Sequence, residues 1–167
     1  MRVVFSGILA VLLAAPLAMA AQKELEKKTV TAGGSRFEFR VVEEAREQRY
    51  LRRGKAGTVV LREASVLEGV NELRTVALRG LPSPMVLSRW RKGVHGEALT
   101  LHDVSSSTPV FELKSAWPME VEVKPDRIEV LYTEEIQKDG QVPRYRLVWT
   151  GPGREPQREA APLIPEE

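Results

Sequence analysis

Apolar and polar residues alternate along much of the chain between Arg36 and Trp149. Phe37, Phe39 and Val41 are interleaved with Arg36, Glu38 and Arg40. A period of two with aromatic residues on one side predicts a strand whose aromatic face is buried. Thr58 to Leu61 is rich in β-branched residues, and Met85 to Trp90 reads as a further strand. Leu99 and Leu101 alternate with Thr100 and His102, and Phe111 and Leu113 with Val110, Glu112 and Lys114. The last third is the clearest. Val121 and Val123, then Ile128, Val130 and Tyr132, then Tyr145, Leu147 and Trp149 all fall on alternate positions. Pro125-Asp126 supplies a tight turn between the first two of these runs, and Asp139-Gly140 a hairpin signal between the last two. An antiparallel meander with one apolar and one charged face follows.

Other segments lack that clarity. Residues 43–53, from Glu43 to Arg53, are rich in helix formers, carry acids first and bases last, and end at Gly54. That order suits a helix dipole and favours a short helix over a long polar hairpin. Leu73 to Leu78 fits strand or helix equally. Leu81-Pro82-Ser83-Pro84 is a break. Residues 21–34 join a charged run to a glycine pair and read as a flexible leader closed by a turn. From Gly151 onward proline recurs at positions 152, 156, 162 and 165, so residues 151–167 read as a disordered, Pro-rich tail.

The first twenty residues differ from all of this. Met1-Arg2 is a short positive start, Val3 to Ala15 an uncharged apolar run, and Ala18-Met19-Ala20 a small-x-small cleavage site. This is the layout of a secretory signal peptide. Val3 to Ala21, nineteen uncharged residues, also approaches the roughly 20 needed for a membrane span. Ser6, Gly7, Pro16 and the cleavage site favour removal over an anchor. The expected organisation is therefore a signal peptide (1–20), a leader (21–34), one antiparallel β domain (35–150) and a tail (151–167). The fold class is all-β. About seven or eight strands would form an antiparallel sandwich, an open barrel or stacked small sheets, with one short helix near 43–53. The location is periplasmic or secreted, with no transmembrane segment in the mature chain.

Composition narrows the chemistry. Removing residues 1–20 leaves 24 Lys and Arg against 23 Asp and Glu. A chain so balanced has no global attraction for nucleic acid, and any electrostatic partner must be read by a local patch. There is no cysteine, which removes disulfides, thiolate zinc sites, iron–sulfur clusters and cysteine nucleophiles. Two histidines are too few for a His-rich metal site, and no cofactor is indicated.

The candidate sites are sparse. His102-Asp103 resembles a base beside its orienting acid, with Ser105, Ser106 and Ser107 close by. Neighbours on a strand point to opposite faces, however, so Asp103 does not orient His102 unless the strand ends between them. His95 lies in a turn between Gly93 and Gly96. Glu43-Glu44 and Glu134-Glu135 are paired carboxylates, but glycoside chemistry needs acids facing each other across a cleft. Arg52 and Arg53 beside Tyr50, and Arg89 and Arg91 around Trp90, could form anion patches with aromatic stacking. Trp117, before Pro118, could line a carbohydrate-binding surface. The binding candidates are thus Arg52, Arg53, Arg89, Trp90, Arg91 and Trp117. Together these features favour an exported, non-enzymatic β domain that binds a partner in the bacterial cell envelope, an envelope protein or a cell-surface glycan. Arg144 to Trp149 would be its edge strand for pairing with a protein partner. One alternative is a surface binder of carbohydrate or anionic lipid through the Trp and Arg clusters; another is an exported hydrolase using His102.

Overall fold

The computed structural model describes residues 22–135 and 142–162. Within them the chain forms twelve strands and a single turn of 3-10 helix, Val66–Glu68. The strands are β1 (Lys23–Ala32), β2 (Ser35–Glu44), β3 (Glu47–Gly54), β4 (Gly57–Ser65), β5 (Val70–Val76) and β6 (Met85–Lys92). They continue as β7 (Gly96–Asp103), β8 (Pro109–Ser115), β9 (Glu120–Val123), β10 (Ile128–Thr133), β11 (Arg144–Trp149) and β12 (Gln157–Ala160). Every pairing is antiparallel between neighbours in sequence, so the chain repeats one four-stranded meander three times: β1–β4, β5–β8 and β9–β12. The all-β class holds, in its stacked-small-sheet form. The strand number is twelve rather than the expected seven or eight, because four segments read as helix, leader, tail or undecided are strands.

Three layers result, with the second sheet in the middle. One apolar cluster joins Met85, Leu87, Leu99 and Leu101 of the second sheet to Ile128, Val130, Leu147 and Trp149 of the third. The other joins Val86, Trp90 and Ala98 on the opposite face of the second sheet to Phe39, Val41 and Tyr50 of the first. Burial on both faces explains the sequence of β6 and β7. Met85-Val86-Leu87 and Ala98-Leu99 are continuous apolar runs, because both directions of the pleat lead into protein.

The corrections have local causes. No helix forms at 43–53. Ala45 and Arg46 both take positive φ, 49° and 72°, the geometry of a two-residue hairpin turn. That turn normally advertises itself with Asn-Gly or Asp-Gly, and Ala-Arg carries no such signal. Helix propensity is a weak prior, and here the burial of Tyr50 against Phe39 and Trp90 opposes it. The leader is β1, paired along β2 and closed by Gly33-Gly34 at φ 54° and 72°. Its alternation is disguised by a bulge between Glu24 and Glu26, which shifts the phase of the pattern. The segment 70–76 is strand β5. The segment read as a tail carries β12, which pairs with β11 from Tyr145↔Ala160 to Val148↔Gln157. Strand β11 is therefore interior, between β10 and β12, and is not the edge expected from the sequence. The signal peptide, the Asp139-Gly140 turn and the last five residues lie outside the described residues.

Candidate functional site

The positions singled out in the sequence do not form one site. Trp90 is fully buried, with the Arg62 guanidinium 5.0 Å from its ring centre. Arg89 lies on the opposite face of β6, bonded to Glu97 at 2.6 Å, the Met119 carbonyl at 2.8 Å and Glu72 at 3.3 Å. Its charge is thus spent inside the protein. Arg91 is exposed and donates to the Val66 carbonyl, and Arg52 donates to the Val104 carbonyl. Arg53 is exposed on β3. The arginine clusters therefore share no surface with an exposed aromatic ring.

His102 is buried at 3% exposure, in edge contact with Tyr50. Neither of its nitrogens has a hydrogen-bond partner among the described residues. Asp103 turns away to accept from the Ser105 amide at 2.8 Å and from the Ser105 hydroxyl, as the opposite-face rule requires. Burial, reinforced by the charge of Arg52, lowers the imidazole pKa from 6.5 to about 4. The unfolded chain accordingly takes up a proton between pH 6.5 and about 4 that the folded chain refuses. Stability then falls as the pH drops through that window, by about 3 kcal/mol at its lower end. Replacing His102 with phenylalanine, which keeps a ring against Tyr50, is expected to remove this part of the acid loss. Urea titrations of both proteins from about pH 7 to about pH 4 test it; parallel losses in the two would contradict the assignment.

A different set of residues does converge. A cleft of about 710 Å³ opens where the second and third sheets meet. One wall is built by the middle sheet, with Lys92 at the end of β6, His95 in the β6–β7 turn and Lys114 on β8. The other wall is Glu134 and Glu135, directly after β10. The walls are tied together by a buried clip. Ser115 Oγ accepts from the Thr133 amide at 3.0 Å and donates to the Thr133 carbonyl at 3.2 Å, and the Ala116 amide reaches that carbonyl at 3.0 Å. A buried clip with its donors and acceptors matched fixes geometry well.

Trp117 stands at the rim. Its indole is stacked on His95, with centroids 4.8 Å apart and planes 22° apart, and the residue is 38% exposed. Two local features hold it there. Pro118 keeps the preceding backbone extended, and the Trp117 amide lies 3.4 Å from Ser115 Oγ. Gly96 closes the turn beneath His95. A Cβ there would lie 2.6 Å from the Lys92 carbonyl oxygen and 3.0 Å from that of Ser115, so only glycine lets β7 start this close to both neighbours. On the acid wall, Arg158 of β12 pairs with Glu134 at 2.8 Å and lies 3.6 Å above the Tyr145 ring. The segment read as a loose tail thus helps to shape the site.

Chemically the cleft offers an aromatic platform at its rim and two carboxylates. Among the described residues no group of His, Asp and Glu is placed to hold a metal ion, and no helix is long and apolar enough to cross a membrane. Trp117, His95 and Glu134-Glu135 each drew attention in the sequence, as unrelated features. Lys92 did so only as the end of the basic run Arg89-Trp90-Arg91-Lys92, and Lys114, Ser115 and Thr133 did not. Nothing in the local pattern marks them, because their roles depend on the pairing of β7 with β8 and the packing of two sheets.

No protein-family model matches the chain, and no curated protein matches it. Among solved structures, an uncharacterized protein, lmo1340 from Listeria monocytogenes EGD-e, is similar at 7% identity with a TM-score of 0.42. The alignment covers 72% of this chain and 36% of that one, so the chain spans about a third of that protein's length. A likeness at this level carries no argument about function.

Proposed function

We propose that this chain is an exported binding protein of the bacterial cell envelope whose ligand is a cell-surface glycan, held against Trp117 and His95. The observation that carries the reading is the stacked, half-open Trp117–His95 pair at the rim of a polar cleft. An indole presented to solvent beside hydrogen-bonding groups suits a sugar ring, which has an apolar face and a polar edge. Export rests on the order of charge, apolar run and small residues in the first twenty positions.

Co-sedimentation with purified cell-wall sacculi and with insoluble chitin tests the proposal. The intact chain is expected to pellet with at least one of them. Trp117→Ala is expected to weaken that binding about tenfold, the scale of one aromatic contact, measured at a temperature where circular dichroism shows the variant still folded. A chain that stays in the supernatant with both polymers, or a Trp117→Ala variant that pellets as well as the original, would contradict it.

A second reading, a protein partner, is favoured by β4. This edge strand carries Val59 and Val60, the latter 48% exposed, and an uncovered edge with apolar side chains can accept a strand from another chain.

A further inference from the structure

We propose that the first sheet is an acid-released layer: protonation of His102, buried where the first and second sheets meet, detaches β1–β4 and leaves the other two sheets joined. This device is independent of what the cleft binds. His102 is paired with Val86, on the face of the second sheet that carries Trp90 and Ala98 and packs on the first. Tyr50 of β3 meets its ring edge-on at 5.6 Å, and neither ring nitrogen has a hydrogen-bond partner among the described residues. A neutral imidazole tolerates such a place far better than a charged one. When the first sheet lifts away, His102 meets water and takes up its proton freely. Acid therefore favours the opened form.

The register gives the charges on the two facing surfaces. Around His102 they are Arg52 and, on the strands flanking β2, β3 and β7, Glu26, Lys28, Arg62 and Glu112. Lys23, Glu43, Lys92 and Lys114 lie toward the other end, where Gln48 meets the Val70 amide. Glu112 is beside Arg62, and among the described residues no carboxylate bonds to the imidazole. Arg52 is near enough to oppose its protonation. The layers are also joined unequally. The first sheet is one stretch, residues 23–65, followed by a single connection, Val66–Gly69. Its polar ties to the second sheet include the Val70 amide on Gln48 at 3.0 Å and Arg52 on the Val104 carbonyl at 3.5 Å. The second and third sheets share the Ser115–Thr133 clip and the Arg79 amide on the Pro125 carbonyl at 2.6 Å, and His95 is exposed at their rim. Glu97 and Glu129, in those two sheets, are held below the usual carboxylate range, so they stay ionised down to about pH 5. A sheet stripped of the layer that covers its apolar face unravels and exchanges its amides.

Amide hydrogen exchange of the full chain, resolved by strand and corrected for the intrinsic effect of pH, tests this at about pH 7 and about pH 5. Amides of β2 and β3 are expected to lose about twentyfold in protection between the two, the ratio imposed by a pKa of 6.5 in the opened form and about 4 in the closed one. Those of β10 and β11 are expected to keep theirs. His102→Phe, which takes up no proton, is expected to abolish the loss, and Arg52→Gln, which removes the opposing charge, to reduce it. Unchanged protection in β2 and β3, or an equal loss in all three sheets, would overturn the proposal. So would a loss that persists in His102→Phe or, should that variant not fold, one undiminished in Arg52→Gln.

Discussion

Replacing Glu97 with alanine is expected to destabilise the protein by about 3–5 kcal/mol, the cost of breaking a buried ion pair from one side. Glu97 is only 5% exposed. One of its oxygens accepts from Asn71 Nδ2 at 2.7 Å, and the other from Arg89 Nη2 at 2.6 Å and the Met119 amide at 2.8 Å. A single carboxylate thus joins β5, β6 and the segment between β8 and β9. Burial alone would raise its pKa, but the Arg89 hydrogen bond, the Met119 amide and Asn71 outweigh that and bring it below the usual carboxylate range. Alanine would leave Arg89 with the Met119 carbonyl at 2.8 Å and Glu72 at 3.3 Å as its only carboxylate, and would strand the Asn71 and Met119 donors. Glu97→Gln keeps the shape and one acceptor, so about 1–3 kcal/mol is expected, the scale of one unsatisfied partner. Urea denaturation of both variants measures the difference. A loss below about 1 kcal/mol for the alanine variant would show that the network is not closed in solution.

Trp149→Ala is the second large effect, also about 3–5 kcal/mol, as for other buried large aromatics. Trp149 is 2% exposed, opposite Ile128 on β10 and 5.8 Å from the Phe111 ring of the second sheet. Its loss leaves a cavity between the two sheets whose ends form the cleft, so the damage falls on the layer that aligns the two walls. A change below about half a kcal/mol, the size of an ordinary surface substitution, would mean that the β11 face is wrongly assigned. The expected result links packing to function. Weakened contact between the second and third sheets acts first on the Ser115–Thr133 clip that joins them.

Period-two alternation carried most of the legible information. It located β2, β6, β7, β8, β9, β10 and β11, and it assigned Trp149, Leu147 and Val130 to a buried face. What stayed hidden has specific causes. The turn between β2 and β3 uses Ala45-Arg46 where Asn-Gly would have announced it. The bulge in β1 shifts the alternation between Glu24 and Glu26. Strand β12 is a short, fully exposed run, Gln-Arg-Glu-Ala, whose contribution is backbone pairing and one guanidinium over Tyr145, neither of which shows in a hydrophobic pattern. The site follows the same logic. Trp117 and His95 were visible as residue types, each with an ordinary explanation. Only the closure of β6 onto β7, and of the second sheet onto the third, places them beside Lys92, Lys114 and Glu134-Glu135. Arg89 departs from its cluster for the converse reason. Arg89 looked like part of a surface patch, but its partner Glu97 lies on the adjacent strand and takes its charge inside.

A glycan held in the cleft between the second and third sheets would leave a footprint on the backbone there and on the Trp117 indole. Amide and indole chemical shifts of the isotope-labelled chain, followed during titration with soluble chitin fragments, read that footprint. Shifts are expected only at residues 92–96, 114–117 and 133–135, with the Trp117 indole among the largest. An unperturbed spectrum, or shifts centred on the first sheet, would contradict it.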